Sequence, residues 1–407
     1  MKKISAFFLI SILLSCHSNH REPGQADQIT SANEETGYSS DTIQTSYNES
    51  AVCNSELIKA VKDNNLELTK KLLDDGCNVN AKIEVGVNLW EIPLKYAISN
   101  KDPEMIRLLL KYGADPCQDL GLSMNPFHYS AGDGSHEVFL LLLEKCKDVN
   151  IIAPRENYTT PLSFAISQGR FDNVQTLIAS GAKLDPDSLN GMISPLSDAC
   201  EGNQFKIFEY LLAKGANVNA RYTINGEDCM PCLEGITILH QLVDMNSYRD
   251  KKIIMEYLEV LLKFKPDINI ESDYELTALE HACYGKDTVL VNWLLTHGAK
   301  LETSNYSALH CAAIRSNYKM VEFLLKKGAN PNSRTAEGDT PLLVSYDCCG
   351  DGFGEGITTN DRLQTARLLI AYGADPFLKN NRNESFVDLC KSDRRREICD
   401  SIKIKKR

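Results

Sequence analysis

The stretch GEDCMPCLEG, residues 226–235, sets Cys229 and Cys232 in a Cys-x-x-Cys spacing. Two thiols at that spacing can supply half of a zinc site, shuttle electrons or close a small disulfide ring. No second Cys-x-x-Cys completes a four-ligand zinc site, and nothing in the sequence brings Cys348 and Cys349 near. The pair also lies in a long connection and not between a strand and a helix, where a redox dithiol belongs. It therefore reads as a local staple or as inert thiols, with a disulfide to another cysteine and metal or redox work as the alternatives. A second stretch, DCCGDGFGEGITTND at 347–361, alternates glycines with Asp351 and Glu355. It lacks the strand–glycine–helix setting and the lysine of a phosphate loop, and the alternating Asp/Asn of a calcium loop, so it reads as a flexible insertion. Apart from His17 and His20 at the polar start of the tether, the eight histidines form no His-x-x-His and no His-Asp-Ser arrangement. The sequence thus assigns no catalytic residue, no metal and no cofactor, and the chain reads as a protein that is not an enzyme.

The compartment sets what the remaining cysteines can do. MKKISAFFLISILLSC opens with Lys2 and Lys3 and continues in an apolar run from Ile4 to Leu14. That run is shorter than the roughly 20 residues a bilayer span needs, and it fits a signal peptide over residues 1–15. Leu13-Leu14-Ser15-Cys16 resembles the lipobox of bacterial lipoproteins, which implies an acylated Cys16 as the mature N-terminus; ordinary cleavage is the alternative. His17 follows, and by resemblance to enterobacterial sorting this favours the outer membrane, facing the periplasm. Residues 16–54 are poor in apolar side chains and read as the lipidated Cys and a disordered tether. Beyond Cys16 thirteen cysteines remain, an odd number, and an exported setting permits disulfides. A formal net charge of −11 argues against nucleic acid, which requires a basic stripe. It suits a basic protein partner, or simply solubility.

One phrase recurs and must position everything else. LLAKGANVNA at 211–220 returns as LLDDGCNVNA from Leu72, LLKYGADPC from Leu109, LIASGAKLD from Leu177, LLTHGAKLE from Leu294, LLKKGANPN from Leu324 and LIAYGADPF from Leu369. A second phrase precedes it: TPLSFAISQG at Thr160, SPLSDACEGN at Ser194, TALEHACYGK at Thr277, SALHCAAIRS at Ser307 and TPLLVSYD at Thr340, with NPFHYSAGDG and TILHQLVDMN as variants. Thr160 and Gly181 stand 21 residues apart, and so do Ser194 and Gly215, Thr277 and Gly298, and Ser307 and Gly328. Two repeats break this register, opening at Thr237 and Thr340, and each carries an insertion between its helices.

These phrases resemble the ankyrin repeat. The resemblance implies an all-α ankyrin-repeat solenoid of about nine helix-turn-helix repeats with hairpin fingers, spanning 55–403. SFVDLCKSDRRREICDSIKI closes it as a half-repeat cap, and 404–407 form a basic tail. Physical chemistry supports the text: Thr or Ser offers an N-cap, Pro suits the first helical turn, and Gly ends the second helix in a left-handed conformation. Cys146 and Lys265 replace that glycine, so those helix ends must close under strain or differently. His128, His240 and His310 all fall three residues after the Thr-like position, where the family's histidine stabilises the turn. Cys200 and Cys283 fall where small apolar side chains belong, Cys311 sits two places earlier in the same helix of its repeat, and all three read as buried thiols. Cys390 and Cys399 suit a staple across the cap, and Cys53 with Cys77 is a weaker pairing across the first repeat.

Ankyrin arrays bind proteins through finger tips and the inner helices of a concave face. The residue before each Thr-like position, and those seven and eight after it, point there in the family. In the later repeats these are Ile193, Ile236, Leu276 and Tyr306, with Met245, Tyr284, Ile314 and Arg315 beside them. Apolar and aromatic side chains flanked by Arg read as partner-binding anchors; the alternative is that the insertions cover them as internal packing. The function expected is a membrane-tethered protein that mediates protein–protein interaction in the bacterial envelope. An immunity or inhibitor lipoprotein that neutralises an exported toxin or enzyme, and a redox or metal factor using Cys229 and Cys232, are the alternatives.

Overall fold

The computed structural model describes residues 40–86, 89–118, 120, 124–153, 159–185, 194–224, 233–245, 249–284, 287–303, 306–347 and 358–390. They form two compact units that divide between Ala216 and Asn217. The first unit holds the helix pairs Ser40–Lys62 with Leu66–Asp74, Pro93–Asn100 with Pro103–Lys111, Pro126–Gly132 with His136–Leu143, Pro161–Ser167 with Phe171–Ala179, and Pro195–Glu201 with Phe205–Ala213. The second holds Ile238–Met245 with Lys251–Leu262, Ala278–Tyr284 with Thr288–Thr296, Ala308–Ile314 with Tyr318–Lys326, Pro341–Asp347 with Thr359–Ala371, and the capping turn Phe386–Leu389. Within each unit the first helices of successive pairs pack on one another. Among the described residues the only paired strands are two short antiparallel hairpins, Ile83–Gly86 with Leu89–Glu91 and Tyr222–Ile224 with Leu233–Ile236. This is the all-α stacked architecture expected.

The Thr-like position caps the first helix at Asn125, Thr160, Ser194 and Ser307, whereas Ile92 offers no side-chain bond. Thr160 Oγ1 accepts from the Ser163 N–H, and Ser307 Oγ from that of His310, which satisfies helix-end donors that would otherwise have no partner. Two residues later Leu94, Phe127, Leu162, Leu196, Leu239, Leu279, Leu309 and Leu342 are all buried. Each contributes on the order of 2 kcal/mol by leaving water. No single pair can bury this face, so the stacking of repeats is what stabilises it.

The glycines at the end of the second helices, Gly76, Gly113, Gly181, Gly215, Gly298, Gly328 and Gly373, all have φ between 88° and 98°. A Cβ there would meet nothing within 4 Å, so the backbone conformation and not space selects glycine. Lys265 takes up the same left-handed region with φ of 53°. Cys146 does not; its N–H returns to Leu142 O, and its sulfur is bonded to Cys117.

A further tie links successive fingers. Asn80 Nδ2 donates to Gly113 O while Asn80 Oδ1 accepts from the Asp115 N–H. Asn150 clasps Gly181 and Lys183 in the same way, Asn269 clasps Gly298 and Lys300, and Asn332 clasps Gly373 and Asp375. One asparagine per clasp therefore satisfies a carbonyl and an amide of the next repeat.

Two boundaries differ from the sequence reading. The first helix begins at Ser40, inside the 16–54 segment read as a tether. No glycine or proline interrupts the chain from Ser40 to Asp75, and the disulfide from Cys53 to Cys77 ties the helix to the first finger. The insertions in the two long repeats are partly taken up by their second helices, which run to 12 and 13 residues where their neighbours have nine.

Candidate binding surface

Four of the expected anchor side chains are not on the surface. Ile236 is 0% exposed, and Leu276, Tyr306 and Ile314 are each 3% exposed. The reason is local. The residue before the N-cap is extended, and there the backbone is held by the neighbouring repeat. Ile236 pairs with Tyr222 across a hairpin, and the Leu276 carbonyl accepts from His240 Nε2–H at 3.1 Å. With the backbone fixed this way the side chains of Ile236, Leu276 and Tyr306 turn into the core, and Ile314 is buried as the last residue of the helix Ala308–Ile314. These four are packing residues, which corrects the reading of them as contact anchors. Tyr284 and Arg315 stay partly exposed, with the Arg315 guanidinium carbon 6.0 Å from the Tyr284 ring centre. Ile193 and the side chain of Met245 lie outside the described residues.

The surface with binding character lies in the first unit, four residues after the Thr-like position. There three consecutive repeats carry Tyr96, Tyr129 and Phe164, all partly exposed. The Tyr129 and Phe164 rings meet edge to face at 6.3 Å. Lys62 Nζ sits 5.0 Å from the Tyr96 ring centre, and Lys95 Nζ 4.8 Å from that of Tyr129. Gly132 makes the row possible: a Cβ there would stand 2.4 Å from Phe164 Cδ1. Arg170 Nε–H donates to Gly132 O at 2.6 Å beside it. The Tyr96 hydroxyl donates to Glu91 at 2.6 Å, and its pKa is pushed up to about 12 by burial and by that carboxylate. The result is a row of aromatic edges under ammonium groups, a surface that can stack on apolar side chains and pair with carboxylates. Spacing alone could have found it, since the three residues share one position of the repeat.

The histidines hold the scaffold together. In His128, His240 and His310 the Nδ1 accepts from the N-cap backbone N–H at 3.2 to 3.3 Å. The Nε2–H donates to a carbonyl of the next repeat: Ile151, Leu276 and Asp339, at 3.1, 3.1 and 3.0 Å. A carbonyl can only accept, so each ring is the neutral Nε2–H tautomer. Burial pushes all three pKa values down to about 4. His281 sits one residue beyond this position and pairs with Asp244 at 3.2 Å; burial opposes its charge but Asp244 prevails, and its pKa is raised.

Cys200, Cys283 and Cys311 are buried thiols outside any disulfide, and burial pushes Cys283 and Cys311 far above the ordinary thiol range. Cys53 pairs with Cys77. Cys117 pairs with Cys146, a link the sequence reading missed although a cysteine at the glycine position of a finger was its signal. Cys390 is disulfide-bonded, and its partner lies outside the described residues, as do Cys16, Cys229, Cys232 and Cys399. Among the described residues no three His, Cys, Asp or Glu side chains are placed to hold a metal, and no helix is long and apolar enough to cross a membrane.

A family model described as ankyrin repeats matches residues 57–153, 94–190, 127–222 and 249–335, and so covers more than half of the chain. Over 292 residues the chain is 29% identical to "Ankyrin repeat and KH domain-containing protein mask-1" of Caenorhabditis elegans, covering 70% of this chain and 10% of that protein. It is 29% identical over 164 residues to "B-cell lymphoma 3 protein homolog" of Mus musculus, covering 40% and 37%. It is 28% identical over 302 residues to "Putative ankyrin repeat protein FPV232" of Fowlpox virus, covering 64% and 55%. The chain spans less than two thirds of the length of each of these relatives.

Proposed function

Because the chain belongs to the ankyrin-repeat family, we propose that it is a binding protein of the bacterial envelope, tethered by an acylated Cys16, and not an enzyme. Ankyrin repeats imply a protein partner, and the row Tyr96–Tyr129–Phe164 with Lys62 and Lys95 is the observation that carries the reading. A net charge of −11 suggested a basic partner. Over the row itself stand the ammonium groups of Lys62 and Lys95, with Glu91 beside Tyr96, and within a screening length of about 8 Å it is local charge that a partner meets. The partner class is therefore a segment with apolar or aromatic side chains interspersed with Asp or Glu. Tyr284 and Arg315 offer a smaller surface of the same chemistry in the second unit. In this reading the array belongs to the envelope, as the basic start, the apolar run and Leu14-Ser15-Cys16 suggest, and His17 after Cys16 favours the outer membrane, facing the periplasm.

Two variants test the two halves of this reading. Cys16→Ser should release the protein from the membrane fraction; retention there would contradict the lipid anchor. Lys62→Glu/Lys95→Glu should leave the fold unchanged and abolish partner capture from detergent-solubilised envelopes. Undiminished capture by that variant would remove the first unit's row as the binding surface.

A further inference from the structure

At three repeats the position three residues after the N-cap is histidine, and its Nε2–H reaches a carbonyl of the next repeat. In the repeat opening at Thr277 that position is Glu280, whose side chain is 0% exposed. Its Oε2 accepts from the Thr277 N–H at 2.7 Å and lies 3.0 Å from the Thr277 hydroxyl. Its Oε1 lies 2.5 Å from Thr303 Oγ1, and that hydroxyl is also in hydrogen-bond contact with the carbonyl of Tyr306. Tyr306 stands directly before the N-cap Ser307, as Leu276 stands before Thr277 and Asp339 before Thr340.

Counting protons decides the arrangement. A threonine hydroxyl has one proton and a carbonyl has none, so for both of its contacts to be full hydrogen bonds the Thr303 proton goes to Tyr306 O, which also accepts from the Thr303 N–H. The short contact between Glu280 Oε1 and Thr303 Oγ1 then needs a second proton, and only Glu280 can bring it. An ionised Glu280 would leave a buried carboxylate oxygen and the Thr303 oxygen facing each other with one hydroxyl proton shared between two acceptors.

We propose that Glu280 is protonated in the folded protein and that Glu280–Thr303 is a two-step relay standing in for the missing histidine, so that loss of the proton to solvent unlatches the Thr277 repeat from the Ser307 repeat. Burial and Glu271 favour the proton on Glu280, against His281 and the hydrogen bonds from Thr277 and Thr303, and burial prevails. Glu271, on the finger strand bridged to Thr277, opposes a second negative charge. Cys283 on the same helix and Cys311 on the next first helix are buried neutral thiols. His281 is the adjacent titratable group, and Asp244 on the preceding first helix pairs with it. His240 and His310, on the first helices to either side, are held neutral by burial. Glu280 and Glu302, at the neighbouring finger, are both held above the ordinary carboxyl range by burial.

The sign is opposite to that of the histidines. A carboxyl held above its unfolded value contributes most at low pH, and the contribution is lost as pH rises from 4.5 through the folded value. Glu280→Gln is the test, since its amide donates to Thr303 and accepts from Thr277 at any pH. Each pH unit by which folding raises Glu280 changes the folding constant tenfold. In the full chain, unfolding followed by Trp293 fluorescence at about pH 5 and about pH 8 should show the wild type weakening with pH relative to E280Q. E280Q should be at least as stable as the wild type at the higher pH. An E280Q that is less stable there would mean that the charge itself is stabilising, and would overturn the relay. Infrared spectroscopy tests the same point without relying on E280Q. The wild type should show a protonated-carboxyl band near neutral pH that moves to higher frequency in Thr303→Val. No band that responds to Thr303→Val would equally overturn it.

Discussion

His310 gives the sharpest test of how the repeats are joined. Its ring is closed to solvent, accepts from Ser307 and donates to the Asp339 carbonyl, and so links two repeats. Protonation would put a charge in a dry site and turn Nδ1 from an acceptor into a donor facing the Ser307 N–H. Burial accordingly holds its pKa at about 4, against 6.5 when exposed. A group depressed by folding contributes stability that is full above pH 6.5 and is lost as pH falls towards 4. At ~1.4 kcal/mol per pH unit this gap is worth about 3 kcal/mol. His310→Gln removes the titration and weakens two buried hydrogen bonds, at a cost of about 1–3 kcal/mol at neutral pH. The variant should therefore be the weaker protein at about pH 7.5, should narrow the difference through about pH 5.5 and should match or exceed the wild type near pH 4. The assay is urea unfolding at these three pH values, followed by Trp293, which is buried in the same unit, in a Trp90→Phe background. A difference between the two proteins that does not change with pH would refute the neutral-ring linkage.

Other consequences are as direct. The disulfide from Cys117 to Cys146 closes a loop across a sequence separation of 29, and replacing both cysteines by Ser should lower the first unit's stability by about 3–4 kcal/mol on the chain-entropy account; thermal unfolding with and without reductant checks it. Lys265→Gly should raise stability by about 1 kcal/mol, because Lys265 holds φ at 53° where its neighbours use glycine; a loss on denaturant titration would show that its side chain contributes more than its backbone costs. Asn269→Ala should leave the Gly298 carbonyl and the Lys300 N–H to water and cost about 0.5–1.5 kcal/mol, seen first as faster amide exchange at Lys300.

Much of the fold was legible because each repeat repeats its constraints. Thr160, Ser194 and Ser307 announce helix starts, Gly181, Gly215 and Gly298 announce helix ends, and the interval between them is set by two short helices. His128, His240 and His310 could be assigned to a shared structural role for the same reason. The binding surface was harder. Whether Ile236 or Leu276 faces solvent depends on which way an extended residue turns once its backbone pairs with the next repeat, and composition does not carry that information. Tyr96, Tyr129 and Phe164 were visible as letters, but their surface character depends on the space that Gly132 leaves for Phe164. Glu280 escaped notice because a glutamate amid a polar phrase reads as solvated, and only burial with the Thr303 contact shows otherwise.

The central claim is that a partner docks on the aromatic row of the first unit. A photo-crosslinking amino acid placed at Tyr129, with a control at the exposed Leu140 on the second helix of the same repeat, tests it in intact cells. The account predicts a discrete protein adduct at position 129 that is absent at 140 and lost on adding Lys62→Glu/Lys95→Glu. No adduct at 129, or equal adducts at both positions, would contradict it.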